Sequence, residues 1–265
     1  MIVDFNIHLP PDGDFASETD FSRFDAMASW EALKPRIAAA GIGQCNVMLL
    51  DPGLMASPSA PIVGRIAADG HSATVGIDPR FPNALELVDS AARAGARGIK
   101  FHPYFFGLED RDFDKAVAAS QHAASLGMWN CVCCSYGTRN VYRISGIRLL
   151  LALIQADIDA PIVALHAGGR HVLDVMLACY DAPNVMLEIS FSIPYWLGSS
   201  VEQDFLFAMR KLGVERFVYA SDHPHQPLEA NLATVRDWLA ANGFPAAEQA
   251  LIFGGNAKRA LLDQR

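Results

Sequence analysis

Short apolar runs alternate with longer amphipathic segments along the whole chain. The short runs are rich in Val, Ile and Leu and have the length of buried strands, whereas the longer segments repeat their apolar residues at helical spacing. Glycine or proline stands just before many of the runs and marks the joints between elements. The predicted strands are Ile2–His8, Gln44–Leu50, Ala73–Ile77, Gly98–His102, Met128–Cys134, Pro161–His166, Asn184–Ile189 and Arg216–Ala220, and the clearest helical segments are Trp30–Ala40, Ala84–Ala94, Asp112–Leu126 and Val201–Leu212.

Eight strands separated by helical segments within 265 residues predict an α/β protein, a (β/α)8 TIM barrel. We expect the whole chain, residues 1–265, to form this barrel as one domain, because no repeat or low-complexity tract divides it. Parallel strands buried on both faces account for the mean hydropathy of +0.17. A doubly wound open sheet is the alternative architecture, but no glycine-rich phosphate loop follows the first strand.

Charge and composition argue against several classes of protein. The 21 basic and 29 acidic residues give a net charge of −8, which is unsuited to tracking nucleic-acid phosphates. No apolar run approaches the roughly 18 residues of a membrane span. The first residues lack the basic region with which a signal peptide begins, so we expect none. Five cysteines, three of them between Cys131 and Cys134, do not suggest a disulfide framework. We expect a soluble, cytoplasmic protein whose partner is a small molecule.

Polar residues interrupt the first predicted strand at every second position. Strict alternation predicts that Asp4, Asn6 and His8 point into the barrel, while Val3 and Phe5 pack outward on the helices. Three buried polar side chains need partners, because an unpaired polar group costs about 1–3 kcal/mol. The first strand therefore carries candidate functional residues.

Three more strands carry polar residues at the carboxyl end, where barrel enzymes keep their chemistry. Lys100 and His102 lie at the end of the fourth strand, His166 at the end of the sixth, and Asp222 directly after the eighth. Each of these residues alone is readily explained as a core group with a satisfied hydrogen bond. Their convergence with His8 on one rim favours a functional site. Imidazoles and a carboxylate are the ligands of catalytic zinc, which keeps one position open for water.

These strand-end segments resemble the amidohydrolase superfamily, in the amidohydrolase-related (amidohydrolase 2) branch that includes decarboxylases and lactonases. VDFNIHL resembles the D-x-H-x-H opening of that family, RGIKFHP its fourth strand, and PIVALHAGG with PNVMLEIS its sixth and seventh strands. RFVYASDHPH resembles the segment with the strand-eight aspartate, and IFGGNAKRALL the terminal helix. The matches run from residue 2 to residue 262, so the resemblance implies the TIM-barrel fold for the whole chain.

The resemblance also implies roles for single residues. His8 and His166 correspond to metal ligands of the family, and His166 to a residue that positions the attacking water. Asp222 corresponds to the aspartate that binds metal and acts as general base. Asp222 and His166 are therefore the expected catalytic residues.

Two family histidines are replaced in this chain. Asn6 stands at the first position of the opening pair, and Cys133, or Cys134 if the alignment shifts by one residue, stands on the fifth strand. An amide oxygen is a poor zinc ligand, whereas a thiolate is a good one. The expected cofactor is a divalent metal, with zinc favoured, and the implied ligand set is His8, Cys133, His166 and Asp222.

Some relatives in this branch are understood to hydrolyse their substrates without a metal, and that alternative stays open. Asp222 would then activate water, while the histidines and a cationic group polarise the substrate carbonyl. Lys100 is the candidate cation, although a structural ion pair with Asp4 or Glu188 would also explain its position.

Further residues near the strand ends are candidates for substrate contacts. Arginines after the fifth and sixth strands favour a carboxylate-bearing, anionic substrate. Apolar loop residues, namely Leu54, Met55, Phe105 and Phe106, suggest a homodimer. A nucleophilic thiol within the Cys131–Cys134 run is also considered, although the run lacks the CxxC spacing of redox pairs. The full set of expected substrate-binding residues is Asn6, Lys100, His102, Tyr136, Arg170, His223 and His225.

Three functions are consistent with these residues. The first is an amidohydrolase-like hydrolase acting on an ester, lactone or amide of a small molecule. The second is a metal-dependent, non-oxidative decarboxylase of an aromatic or unsaturated acid. The third is a barrel that has lost catalysis and binds a ligand, since two family ligands are replaced.

Overall fold

The computed structural model describes residues 1–9, 25–57, 61–135 and 142–263. Within them, eight parallel strands form one sheet in which each strand pairs with its neighbour in chain order. The strands are β1 (Ile2–His8), β2 (Ile42–Leu49), β3 (Ser72–Gly76), β4 (Gly98–Phe101), β5 (Trp129–Cys133), β6 (Ile162–Leu165), β7 (Val185–Glu188) and β8 (Phe217–Val218).

Backbone hydrogen bonds between β1 and the segment after β8 complete the ring of strands. The amide of Phe5 donates to the carbonyl oxygen of Tyr219 at 3.2 Å, and the amide of Asp222 donates to that of Asn6 at 2.9 Å. Parallel strands in sequential order with helical connections constitute a (β/α)8 TIM barrel. The predicted fold class is confirmed.

Helices form the connections between successive strands. The predicted segment Ala84–Ala94 is helical over its full length, and the other three predicted segments overlap helices that begin or end a few residues away. The helices are α1 (Ala26–Ala39), α2 (Pro52–Ala56), α3 (Pro61–Ala68), α4 (Ala84–Ala94), α5 (Pro103–Phe106), α6 (Phe113–Ser125), α7 (Gly146–Gln155), α8 (Val172–Ala178), α9 (Ser192–Trp196), α10 (Ser200–Leu212), α11 (Leu228–Ala241) and α12 (Ala246–Ala250).

Several strands end earlier than their apolar runs predict. His102 leaves the sheet because Pro103 begins α5 directly after it, and His166 opens a short 3₁₀ helix, His166–His171. Proline has no backbone N–H to donate to a sheet, and a residue in a tight helical turn does not continue a strand. The polar residues at these ends therefore belong to the connections that form the mouth of the barrel.

β1 does not alternate as its sequence predicts. Val3 and Phe5 are buried in an inner cluster with residues of β2 and β5–β8, and the Phe5 ring lies 5.6 Å from that of Trp129. The pairing of β1 with β2 shifts register between Asp4 and Ile7, and such an irregularity changes which side chains share a face. The expectation that Val3 and Phe5 pack on the helix layer is wrong.

A chain of buried hydrogen bonds links β5, β3, β2 and β1 inside the barrel. Trp129 Nε1 donates to Thr74 Oγ1 at 2.9 Å, and Thr74 Oγ1 donates to Asn46 Oδ1 at 3.0 Å. Asn46 Nδ2 then donates to the carbonyl oxygen of Phe5 at 3.1 Å. These polar groups are all satisfied within the chain of bonds, which avoids the cost of burying them unpaired.

The described helices include none that is long and apolar enough to cross a membrane. Among the apolar loop residues that suggest a dimer, Met55 is buried and Phe105 is strongly exposed. The homodimer stays a prediction, and Met55 is not part of its basis.

Gly98 provides a test of interior packing. A Cβ atom added at this position would lie 2.0 Å from Trp129 Nε1, so we expect Gly98→Ala to destabilise the protein by about 1–3 kcal/mol. Thermal unfolding measures the effect. The matched control is Gly64→Ala in α3, where the added atom finds its nearest neighbour at 3.9 Å and where alanine favours the helix by up to about 1 kcal/mol. Equal losses in both variants would contradict the packing argument.

Candidate active site

Polar side chains from the ends of β1 and of β4 to β8 meet at the carboxyl-terminal mouth of the barrel. The groups nearest the opening are little exposed, with 9% for His8, 5% for His166 and 6% for Asp222. Cys133 at the end of β5 is fully buried. Burial of this kind makes the electrostatic interactions between these groups strong.

His8 and Asp222 form one half of the site. His8 Nε2 lies 3.5 Å from Asp222 Oδ1. Burial and the charge of Lys100 lower the pKa of His8 to about 4, so the ring is neutral at pH 7. Burial opposes ionisation of Asp222, but His166 and His8 outweigh it and hold the pKa of the carboxyl group below its usual range. Asp222 is therefore a carboxylate.

Lys100 also lies in this half of the site. It precedes His102, the last residue of the fourth predicted strand, by two positions. Its Nζ atom lies 3.5 Å from His8 Nε2. The described ion pairs of the chain join Lys100 to neither Asp4 nor Glu188, the partners that a structural explanation requires. Lys100 therefore lies beside His8, and a contact of Lys100 with the substrate stays a prediction.

Cys133 and His166 form the other half. The imidazoles of His102 and His166 both act on the Cys133 side chain. Burial alone raises the pKa of a thiol, yet the two imidazoles lower the pKa of Cys133 well below its usual range. Burial likewise disfavours a charged His166, but Asp222 and Cys133 raise its pKa to about 9. The two shifts favour a thiolate at Cys133 beside an imidazolium at His166.

The structure resolves which cysteine of the fifth strand belongs to the site. Cys134 packs in the outer hydrophobic core, and its Sγ lies 3.5 Å from the carbonyl oxygen of Val132. Burial and the neighbouring Cys133 raise the pKa of Cys134 well above its usual range. Of the two cysteines, Cys133 is the one that interacts with His166.

His166 is held on its other side by β7 and the residues that follow it. Its Nδ1 atom lies 3.2 Å from the carbonyl oxygen of Ser190 and 3.1 Å from Ser190 Oγ. Asn6 Nδ2 donates to Glu188 Oε2 and to Ser190 Oγ, both at 3.3 Å. Ser190 is not among the site residues predicted from the sequence. The Glu-x-Ser spacing of Glu188 and Ser190 could have indicated it, since residues two apart at a strand end face the same side.

The backbone is unusual at both expected catalytic residues. His166 has φ of +61° and Asp222 has φ of +60°. A left-handed conformation disfavours residues other than glycine and is found where a site requires a particular side-chain direction. Gly168, with φ of +83°, also leaves room for Val175, because a Cβ atom there would lie 2.5 Å from Val175 Cγ2.

Two of the expected substrate-binding histidines lie beside the cluster. The His102 ring packs edge-on against Tyr104 with centroids 4.5 Å apart, and the His225 ring lies 6.1 Å from that of His8. Tyr104 OH lies 3.4 Å from Ser135 Oγ, which in turn lies 3.5 Å from Cys133 Sγ. These groups form part of the wall around the mouth.

The remaining candidates are placed differently. His223 supports His8 through its backbone, since its carbonyl oxygen accepts from the His8 amide at 2.7 Å, while its Nε2 lies 3.5 Å from Arg36 Nη1 of α1. Arg170 is exposed and stacks over the Tyr142 ring at 5.3 Å. Tyr136, the last candidate, lies outside the described residues.

The donor arrangement does not fit the zinc site that the resemblance implies. The described part of the chain contains no group of three or more His, Cys, Asp or Glu side chains placed to hold a metal ion. The Lys100 ammonium lies 3.5 Å from His8 Nε2, where its charge repels a divalent cation. Asn6 donates through Nδ2 to Glu188 and Ser190, and the group it has left to offer a cation is an amide oxygen, a poor zinc ligand.

The thiolate at Cys133 can be measured directly. Thiolates absorb in the ultraviolet where thiols do not, and burial raises the pKa of each of the other four cysteines. We expect one thiolate per chain at pH 7, present in the wild type and absent from Cys133→Ser. The signal should be lost only as the pH falls through the lowered pKa, well under the ordinary value of about 8.5. Cys131→Ser is the matched control and should retain the signal, whereas identical spectra for wild type and Cys133→Ser would refute the ion pair.

Comparison with solved structures shows the same barrel in proteins of low sequence identity. A zinc-bound amidohydrolase from Burkholderia multivorans superposes with a TM-score of 0.69 at 17% identity, covering 98% of each chain. The 5-carboxyvanillate decarboxylase of Sphingomonas paucimobilis gives a TM-score of 0.67 at 14% identity and 98% coverage of each chain. A probable 2-pyrone-4,6-dicarboxylic acid hydrolase of Acinetobacter baumannii with bound citric acid gives 0.67 at 11% identity, again covering 98% of each. At these identities the likeness establishes the fold alone.

Sequence comparison identifies the family. No curated protein matches the chain significantly. The model of the amidohydrolase family, in its second branch, matches residues 3–262, and this range includes β1 with its polar residues, every later strand and the segment after β8. The chain therefore belongs to the amidohydrolase family.

Proposed function

We propose that the protein is a hydrolase that cleaves an ester or lactone of a small, carboxylate-bearing molecule, with Asp222 as the general base. The observation that carries this proposal is the placement of the Asp222 carboxylate at the barrel mouth, 3.5 Å from His8 Nε2 and under the influence of the positive charge on His166. A buried carboxylate beside a buried imidazolium provides a proton acceptor and a proton donor in one cavity.

The reaction uses both groups. Water attacks the carbonyl carbon of the substrate and gives one proton to Asp222, while the negative charge that develops on the carbonyl oxygen is stabilised by the positive charge of His166. When the carbon–oxygen bond breaks, the imidazolium protonates the leaving oxygen. A proton then returns from Asp222 to His166, and the products are a carboxylic acid and an alcohol.

An anionic substrate suits the charges at the mouth. Lys100 and the His166 imidazolium are cationic, and His8 is neutral between Lys100 and Asp222. The Acinetobacter hydrolase with the same fold binds citric acid, a tricarboxylate, which supports a carboxylate-bearing ligand here. Water activation by Asp222 requires no metal-bound step, in keeping with the poor fit of the donor arrangement to zinc.

A substrate panel separates this proposal from the other two functions. Cyclic esters with one or two carboxylates should be opened with release of acid, whereas hydroxybenzoates should yield no carbon dioxide. Proton release and trapped carbon dioxide are the two readouts. Carbon dioxide from a hydroxybenzoate without lactone cleavage would identify a decarboxylase. Tight binding by calorimetry with no turnover of any compound would identify a binding protein.

Replacement of Asp222 tests the role of the base. Asp222→Asn keeps the size of the side chain but removes the proton acceptor, so we expect kcat on the best lactone to fall by about 10²–10⁴-fold. Asp112→Asn is the matched control, because Asp112 is similarly buried at 7% exposure and accepts a hydrogen bond from the Glu109 amide instead. Unchanged kcat in Asp222→Asn would exclude it as the base.

A further inference from the structure

We propose that Glu188 and Ser190 are positioning residues that fix the orientation and the ring tautomer of His166. The proposal deepens the hydrolase function and rests on it for its catalytic consequence. The contacts that support it come from β7 and do not depend on the identity of the substrate. Neither residue touches the reacting atoms in the mechanism above.

The single proton of the Ser190 hydroxyl determines the direction of the contacts. Ser190 Oγ donates to Glu188 Oε2 at 2.9 Å, so toward His166 Nδ1, 3.1 Å away, it can only accept. The carbonyl oxygen of Ser190, 3.2 Å from the same nitrogen, is also only an acceptor. His166 Nδ1 must therefore carry a proton whether the ring is neutral or charged.

Glu188 enforces this direction because its own surroundings consist of donors. It is fully buried, and its Oε2 also accepts from the His166 amide at 3.2 Å and from Asn6 Nδ2 at 3.3 Å. The amide of Ser190 donates to Oε1. With each oxygen facing a donor, the carboxylate can only accept, and it holds the Ser190 proton away from His166.

The consequence lies on the opposite side of the imidazole. Each ring nitrogen has one in-plane direction for a hydrogen bond, and Ser190 takes that of Nδ1. Nε2 is therefore the ring nitrogen that remains for the site, where Asp222 and Cys133 raise the pKa of His166. This nitrogen is the one available to protonate a leaving group, while Asn6, in place of a family histidine, contributes its amide to the same network.

Nitrogen-15 NMR of histidine-labelled protein tests the proposal without a substrate. The neutral ring is observed by raising the pH until the His166 resonances no longer shift, and these resonances are assigned by their loss in His166→Gln. We expect Nδ1 to be the protonated nitrogen in the wild type. A neutral wild-type ring protonated at Nε2 would overturn the proposal by itself.

Two variants test the role of the network. In Glu188→Gln the amide N–H₂ can face Ser190 and turn its hydroxyl toward His166, so we expect the neutral ring to move toward the Nε2-protonated tautomer. Adding Ser190→Ala to this variant removes the competing hydroxyl and should restore protonation at Nδ1. Loss of structure alone would not produce this rescue, and failure of the rescue in a folded double variant would contradict the proposal.

Ser192→Ala is the matched control. Ser192 is as buried as Ser190, but its Oγ donates at 2.7 Å to the backbone carbonyl oxygen of His166 and not to the ring. Its removal should leave the ring resonances unchanged, and an equal shift in Ser192→Ala and Glu188→Gln would count against the proposal.

Kinetics distinguish failure of this proposal from failure of the proposed function. On a lactone substrate, Glu188→Gln should lower kcat by roughly 10–100-fold, the usual effect of losing a partner behind a functional residue, with little change in KM. The expected tautomer without any lactone cleavage would leave the positioning role intact and reject the hydrolase. Lactone cleavage by an enzyme whose neutral His166 is protonated at Nε2 would support the hydrolase and reject the positioning role of Glu188 and Ser190.

Discussion

The rest of the site depends on the attraction between the positive charge on His166 and the negative groups around it. An imidazolium with 5% exposure is unfavourable unless negative groups surround it. Asp222, Cys133 and Glu188 provide that environment and together raise the pKa of His166 to about 9 against the effect of burial. The same charge lowers the pKa values of Asp222 and Cys133, so the ionised states of these residues stabilise one another.

The fold supplies this cluster by closing the sheet. The amide of Asp222 donates to the carbonyl oxygen of Asn6 at 2.9 Å, and the amide of His8 donates to that of His223 at 2.7 Å. These bonds bring the end of the chain to its beginning and place Asp222 beside His8. Hydrogen bonds made by side chains further inside the barrel, such as that from Trp129 to Thr74, give the strands a fixed arrangement below the site. A rigid scaffold of this kind keeps groups oriented for catalysis.

Sequence patterns predicted the strand-end positions of the main site residues because they follow from local properties. A polar residue that ends an apolar run in a parallel barrel must lie at the mouth, which places His8, His166 and Asp222 there. Patterns failed where a neighbouring strand decides the outcome. The register shift in β1 put Phe5 inside the barrel, and no property of β1 alone reveals a shift that depends on its pairing with β2.

The sequence by itself determined the barrel, the family and the residues at the ends of the strands, because apolar periodicity and short motifs are properties of contiguous residues. Only the tertiary structure decided which of Cys133 and Cys134 faces the site. Only it showed Lys100 beside His8 and Ser190 behind His166. These are contacts between strands far apart in the chain, and the distances, burial and charges that set proton positions exist only after the strands have closed around them.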